Sequence, residues 1–174
     1  MKHNFFYLLF FGLIISIYRI VPHPANFTPI LSMAILAPLI LKNRVISIAL
    51  VLIPMFVSDI FIGFHPYQFV VYSTLISIVL ITPMKKNYSI LGLMAVGSSV
   101  WFFITTNFSV WLISDYYPKT LDGLITCYTL AIPFFSNTVV STLMFTGMFI
   151  LFYKYLKNIN KKFNLAFYNI LPKI

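Results

Sequence analysis

Acidic side chains are almost missing from this chain: it has three aspartates, Asp59, Asp115 and Asp122, and no glutamate. Charged residues of both signs make up only 9% of its 174 positions, too few to clothe a soluble domain of this size. Cysteine occurs once, at Cys127, which excludes an internal disulfide. No non-apolar interval exceeds a few tens of residues, so no nucleotide-binding or large catalytic domain fits. Phosphate loops, nucleophile elbows, metalloprotease motifs and CxxC or HxxH pairs are also absent, and no cofactor is implied.

What remains is apolar. Hydrophobic residues make up 60% of the chain and the mean hydropathy is +0.94. The runs are apolar on every face, unlike the alternating strands of a membrane β-barrel. The composition therefore predicts an all-α membrane protein. Spans are expected at about 4–21, 27–41, 45–63, 68–83, 88–106 and 137–153, in one transmembrane domain over 1–157. Residues 107–136 read as a long outer loop with a partly buried short helix. Residues 158–174 read as a basic amphipathic tail on the inner leaflet.

Six spans partition the charges. Lys2, Lys42, Arg44, Lys85, Lys86, Lys154, Lys157, Lys161, Lys162 and Lys173 fall on one side; Arg19, Lys119 and all three acids fall on the other. The positive-inside rule then places both termini in the cytoplasm of a bacterial inner-membrane protein. The net charge of +9 is read as this orientation signal, and nucleic acid is not expected as a partner. If 27–41 were re-entrant, a five-span chain with its N-terminus outside would satisfy the rule equally well. The six-span reading is preferred because Thr28 and Ser32 are the only polar residues of that segment.

Under this topology three polar segments meet at the outer face: "RIVPHPANFTP", "SDIFIGFHPYQ" and the stretch from Thr105 to Thr138. They supply the candidate ligand-binding residues Arg19, His23, Asn26, Asp59, His65, Asn107, Trp111, Tyr117 and Lys119. An ionisable residue near a span end needs a partner. Asp59 is thus either a ligand- or cation-binding carboxylate or one half of an ion pair with Arg19. His23, His65 and Asp59 lack metal-ligand spacing, so no metal site is assigned. Cys127 is a small buried hydrophobe or a soft-metal contact. The aromatics Trp111 and Tyr117 are interfacial anchors or pocket walls. Gly12 and Ser16, four apart on the first helix, suit close helix packing within the chain or against a docking partner.

The segments Arg19-x-x-Pro22-His23-Pro24-x-Asn26-Phe27-Thr28-Pro29, Ser58-Asp59 with Gly63-Phe64-His65, Thr106-Asn107-Phe108-x-Val110-Trp111, Tyr116-Tyr117-Pro118-Lys119-Thr120 and Pro133-Phe134-Phe135-x-Asn137-Thr138 resemble a family of small bacterial membrane proteins of unassigned function. In size and span count that family looks like the S components of energy-coupling-factor vitamin transporters. The resemblance implies a six-helix bundle that captures a vitamin-like or cofactor-precursor solute under its outer loops. It also implies delivery through a T component with an ATPase module, docked near Gly12 and Ser16. Two other classes are open on the residues alone: a structural or assembly subunit, and an intramembrane aspartyl peptidase built on paired carboxylates.

Overall fold

The computed structural model describes the backbone of residues 2–84 and 90–170, and the side chains of 10, 12–84 and 90–159. The described residues form six α-helices: α1 (Lys2–Ile20), α2 (Ile30–Leu41), α3 (Arg44–Ile62), α4 (Gln68–Ile81), α5 (Leu91–Ile113) and α6 (Leu121–Ile170). By length and composition, α3, α5 and the Leu121–Ile159 part of α6 can cross a membrane; α2 and α4 are shorter apolar helices. Large apolar side chains such as Val45, Phe61, Phe69 and Leu93 stand exposed on the outside, as in a protein whose solvent is lipid. The basic pair Lys85 and Lys86 and the chain end at 171–174 lie outside the described residues.

The centre of the bundle is α2. Every residue from Ile30 to Leu39 is buried, and the helix packs against all five others. Its 12 residues give roughly 18 Å of helix. That is well short of a ~30 Å hydrocarbon layer. Its neighbours, not lipid, surround it. Asn43 then caps α3, its side chain accepting the Ile46 N–H at 3.0 Å. Lys42 makes the tight turn between the two helices in the left-handed region, φ 55°.

Within lipid there is no hydrophobic gain from bringing two apolar helices together, so close packing and buried hydrogen bonds must hold them. The pair α1–α3 shows both. A Cβ at Gly12 would sit 3.1 Å from Pro54 Cγ, and Ser16 Oγ donates at 3.2 Å to the Pro54 carbonyl. The Gly12–Ser16 face is therefore filled by α3 within the chain. Similarly, Ser32 Oγ donates to the Thr142 carbonyl at 2.9 Å, joining α2 to α6.

The region 107–136 differs most from the expected long loop. Helix α5 continues to Ile113, and α6 already begins at Leu121, so the connection spans only 114–120. The polar residues that resembled a loop satisfy their own helices. Thr106 Oγ1 donates to the Phe102 carbonyl at 2.7 Å and Asn107 Nδ2 to the Phe103 carbonyl at 2.7 Å. Thr126 and Thr129 do the same for α6. Such i−4 bonds let hydroxyl and amide side chains live inside an apolar helix. The helix also runs through 158–170 to Ile170, where an amphipathic tail was expected.

Candidate functional site

One end of the bundle gathers the end of α1, the start of α2, the end of α3, the start of α4, the end of α5 and the start of α6. Between them lies a cavity of about 580 Å³. Arg19 lines it from the end of α1, His23 and Asn26 from the α1–α2 connection and His65 from the α3–α4 connection. Asn107, Tyr117 and Cys127 close it from the far side. The three polar stretches recognised in the sequence thus meet around a single space. Asp59, Trp111 and Lys119 are not in its lining.

Asp59 sits behind the wall, 2% exposed, and its oxygens are taken by protein. Arg19 Nη2 donates to Oδ1 at 2.7 Å; Gln68 Nε2 and the Tyr72 hydroxyl each donate to Oδ2 at 2.6 Å. Arg19 is anchored further by the Met55 carbonyl at 3.1 Å and by Ser58 Oγ. A buried carboxylate with a cation and two neutral donors is fully compensated. Of the two readings of Asp59, the ion pair with Arg19 describes the geometry. Asp59 positions Arg19 at the cavity and does not face it. Neither Asp115 nor Asp122 joins this cluster; both are exposed. The paired carboxylates of an aspartyl peptidase are therefore not assembled among the described residues.

The first connection is shaped to present its side chains. Asn26 adopts φ 60°, a left-handed conformation that asparagine tolerates better than most residues. Phe27 N–H bonds to the Pro24 carbonyl at 3.0 Å and so closes the turn. Asn137 Nδ2 on α6 donates at 3.0 Å to the Ala25 carbonyl, tying the turn to α6. His23 packs on Tyr18, and its Nδ1 lies 2.7 Å from the Val21 carbonyl. A carbonyl only accepts, so Nδ1 carries a proton and, in the neutral ring, Nε2 is left as an acceptor.

The opposite rim is a small clasp. Trp111 Nε1 donates to the Pro118 carbonyl at 3.0 Å, and Lys119 Nζ donates to the carbonyls of Trp111 and Ser114. These two candidates hold the 114–120 turn, which carries Tyr117. Glycine is required beside them. A Cβ at Gly123 would lie 2.0 Å from the Pro118 carbonyl oxygen, so only glycine lets the turn close over α6. Thr120 caps that helix, its Oγ1 accepting the Gly123 N–H at 3.2 Å.

His65 stacks near Tyr67, ring centroids 4.3 Å apart, and its Nδ1 is buried without a hydrogen-bond partner among the described residues. Burial lowers its pKa below the usual histidine value; Asp59 pulls it back up and Arg19 pushes it further down. The neutral ring is therefore favoured. Cys127 is 2% exposed, with its Sγ 3.5 Å from the Asn107 carbonyl. No cluster of three histidine, cysteine or acidic residues that could hold a metal ion occurs among the described residues.

A family of unknown function, DUF6580, matches residues 1–164. The chain belongs to DUF6580. No curated protein and no solved structure matches it.

Several members of the site escaped the sequence reading. Gln68 and Tyr72 carry half of the Asp59 cluster, yet each alone reads as an ordinary helix residue. Their signal was spacing: they lie four apart on α4, on one face, just after a span that ends in an aspartate. Phe102, which walls the cavity, carried no signal in a chain with 19 phenylalanines.

Proposed function

We propose that this protein is the membrane-embedded binding component of an uptake system for a small vitamin-like or cofactor-precursor solute. Six membrane-crossing or membrane-embedded helices of the bacterial inner membrane, with both termini in the cytoplasm, would open the cavity outward. The observation that carries this reading is the cavity itself: about 580 Å³, walled by six different elements, with apolar sides and a few fixed polar groups. That volume and composition are those of a small-molecule site. The charge partition supports an outward opening, because the cavity end is the one poor in lysine and arginine. Delivery would need an energising module such as a T component with its ATPases. The Gly12–Ser16 face is spent on α3, so that module would dock elsewhere.

The test is a thermal-stability screen of the purified protein in nanodiscs against vitamins and their precursors. One or more solutes should raise the melting temperature, and Ala131→Trp, which fills the cavity from a buried wall position, should abolish the shift. A flat screen across the panel would remove the proposal.

A further inference from the structure

Resting on that reading, the lining narrows what the solute is. Formal charge at the cavity is lopsided. Arg19 is its one cationic side chain of fixed charge, and no carboxylate is present among the described lining residues. The nearest acid, Asp59, is sealed behind Arg19 with both oxygens taken. A cationic solute would enter without any counter-charge to meet it, and burying an unpaired cation is costly.

Arg19 is also incompletely used. A guanidinium has five N–H donors. Three go to the Met55 carbonyl, Ser58 and Asp59, which leaves two with no acceptor in the described chain. Those contacts fix the guanidinium plane, so the two spare donors are held in place without a flexible search. A held arginine with unspent donors suits an oxygen acceptor, either a carboxylate or a carbonyl. Asp59 already neutralises the charge of Arg19, so what the pair offers a solute is oriented N–H donors and not a free positive charge, which serves a neutral carbonyl as well as a carboxylate.

The remaining walls favour a flat body. Six ring side chains contribute to the lining: His23, His65, Tyr67, Phe102, Tyr117 and Phe134. Stacked and edge-on contacts with rings reward planar solutes beyond the area they bury. Opposite Arg19, Asn107 spends its Nδ2 on the Phe103 carbonyl, and its side-chain oxygen takes no hydrogen bond from the described residues. That oxygen accepts from a ligand N–H or O–H.

We infer that the cavity selects a planar ring compound that is neutral or singly anionic, with a carboxylate or carbonyl oxygen toward Arg19, and that it rejects cations of the same shape. Asn107 sets the polarity of the far wall.

The test uses three probes of one shape: 2-naphthoate, 2-naphthamide and 2-naphthylmethylammonium. Each is measured by equilibrium dialysis against the whole protein in nanodiscs of neutral lipid. Ala131→Trp protein in the same discs corrects for partition into lipid. Naphthoate and naphthamide should bind at least about tenfold more tightly than the ammonium probe. Asn107→Asp, nearly isosteric, places a carboxylate in the wall and should weaken naphthoate while strengthening the ammonium probe. Arg19→Lys keeps the charge but not the fork, and should weaken naphthoate by roughly tenfold or more. Equal or tighter binding of the cation by the natural sequence overturns the inference and leaves the solute-binding reading standing. So does binding of a panel solute when none of the three probes binds. If neither the probes nor the panel bind, both fall together.

Discussion

The two ends of this bundle are built by different rules. At the cavity end, polar side chains reach across helices: Arg19 to Asp59, Gln68 and Tyr72 to the same carboxylate, Asn137 to the first connection, Lys119 to the end of α5. At the other end the α2–α3 turn is short, carries Lys42 and Arg44, and is settled by a local asparagine cap. One end gathers side-chain bonds that join different helices and connections. The other is a turn reversed by a local cap, with Arg44 reaching across to the Val79 carbonyl on α4. Local caps suffice to reverse a chain; several separate sets of bonds between different elements fix the shape of a space. The contrast teaches that shape at the cavity end is what the buried polar groups of this chain maintain.

Substitutions can break that contrast or sharpen it. The largest effect is expected from Asp59→Ala, which strands Arg19 and removes the acceptor of Gln68 and Tyr72. Losing one partner of a buried pair costs about 3–5 kcal/mol, read as a lower unfolding midpoint in denaturant. The double change Arg19→Met with Asp59→Leu should recover much of that loss. Asp122→Asn, at an exposed position, should stay within about 0.5 kcal/mol. Equal effects at the two aspartates would break the distinction between networked and exposed acids.

Next comes Gly123→Ala, whose new methyl meets the Pro118 carbonyl at 2.0 Å. The 114–120 turn must open, at a cost of roughly 2 kcal/mol or more. Gly92→Ala, near the start of α5 with nothing within 4 Å of its Cβ, should be neutral or slightly stabilising. Thermal melts of the two single variants compare the ends directly.

Smaller again is Lys119→Met, which removes two hydrogen bonds to the carbonyls of Trp111 and Ser114 from an exposed side chain. About 1 kcal/mol is expected in the same assay. Lys42→Met, in the short turn of the other end, should change stability less.

The smallest effect is on pH dependence. His65 has its pKa lowered by burial, against a partial pull from Asp59. Below its ordinary value of 6.5 the unfolded chain takes up a proton that the folded chain does not. Stability should therefore fall as pH drops through that value, and level off once the folded ring is protonated. His65→Gln should flatten this part of the profile between pH 7 and 5. A steeper slope in the variant would show that another group sets it.

How much of this was readable beforehand depends on the residue. The runs that became α3 and α4 announced themselves by uninterrupted apolar sequence, and Arg19 with Asp59 stood out as ions beside such runs. Residues 105–138 did not, because their threonines, serines and asparagines resemble a loop. Whether such residues bond to water or to their own helix carbonyl, as Thr106 and Thr138 do, depends on the surroundings and not on the residue type. The expected docking pair Gly12 and Ser16 likewise had two possible partners, and only packing chose α3.

By itself, the sequence determined an α-helical chain of membrane character, because so few charges cannot be reconciled with water around a domain of 174 residues. It also determined which polar stretches were too costly to leave in lipid without partners. Only the tertiary structure decided that α2 lies at the centre and that Asp59 is sealed behind Arg19 instead of facing the cavity. Only it, too, brought six helix ends around one space. Those outcomes turn on contacts between residues far apart in sequence, whose energies depend on distance and burial, and neither is written in the order of the residues.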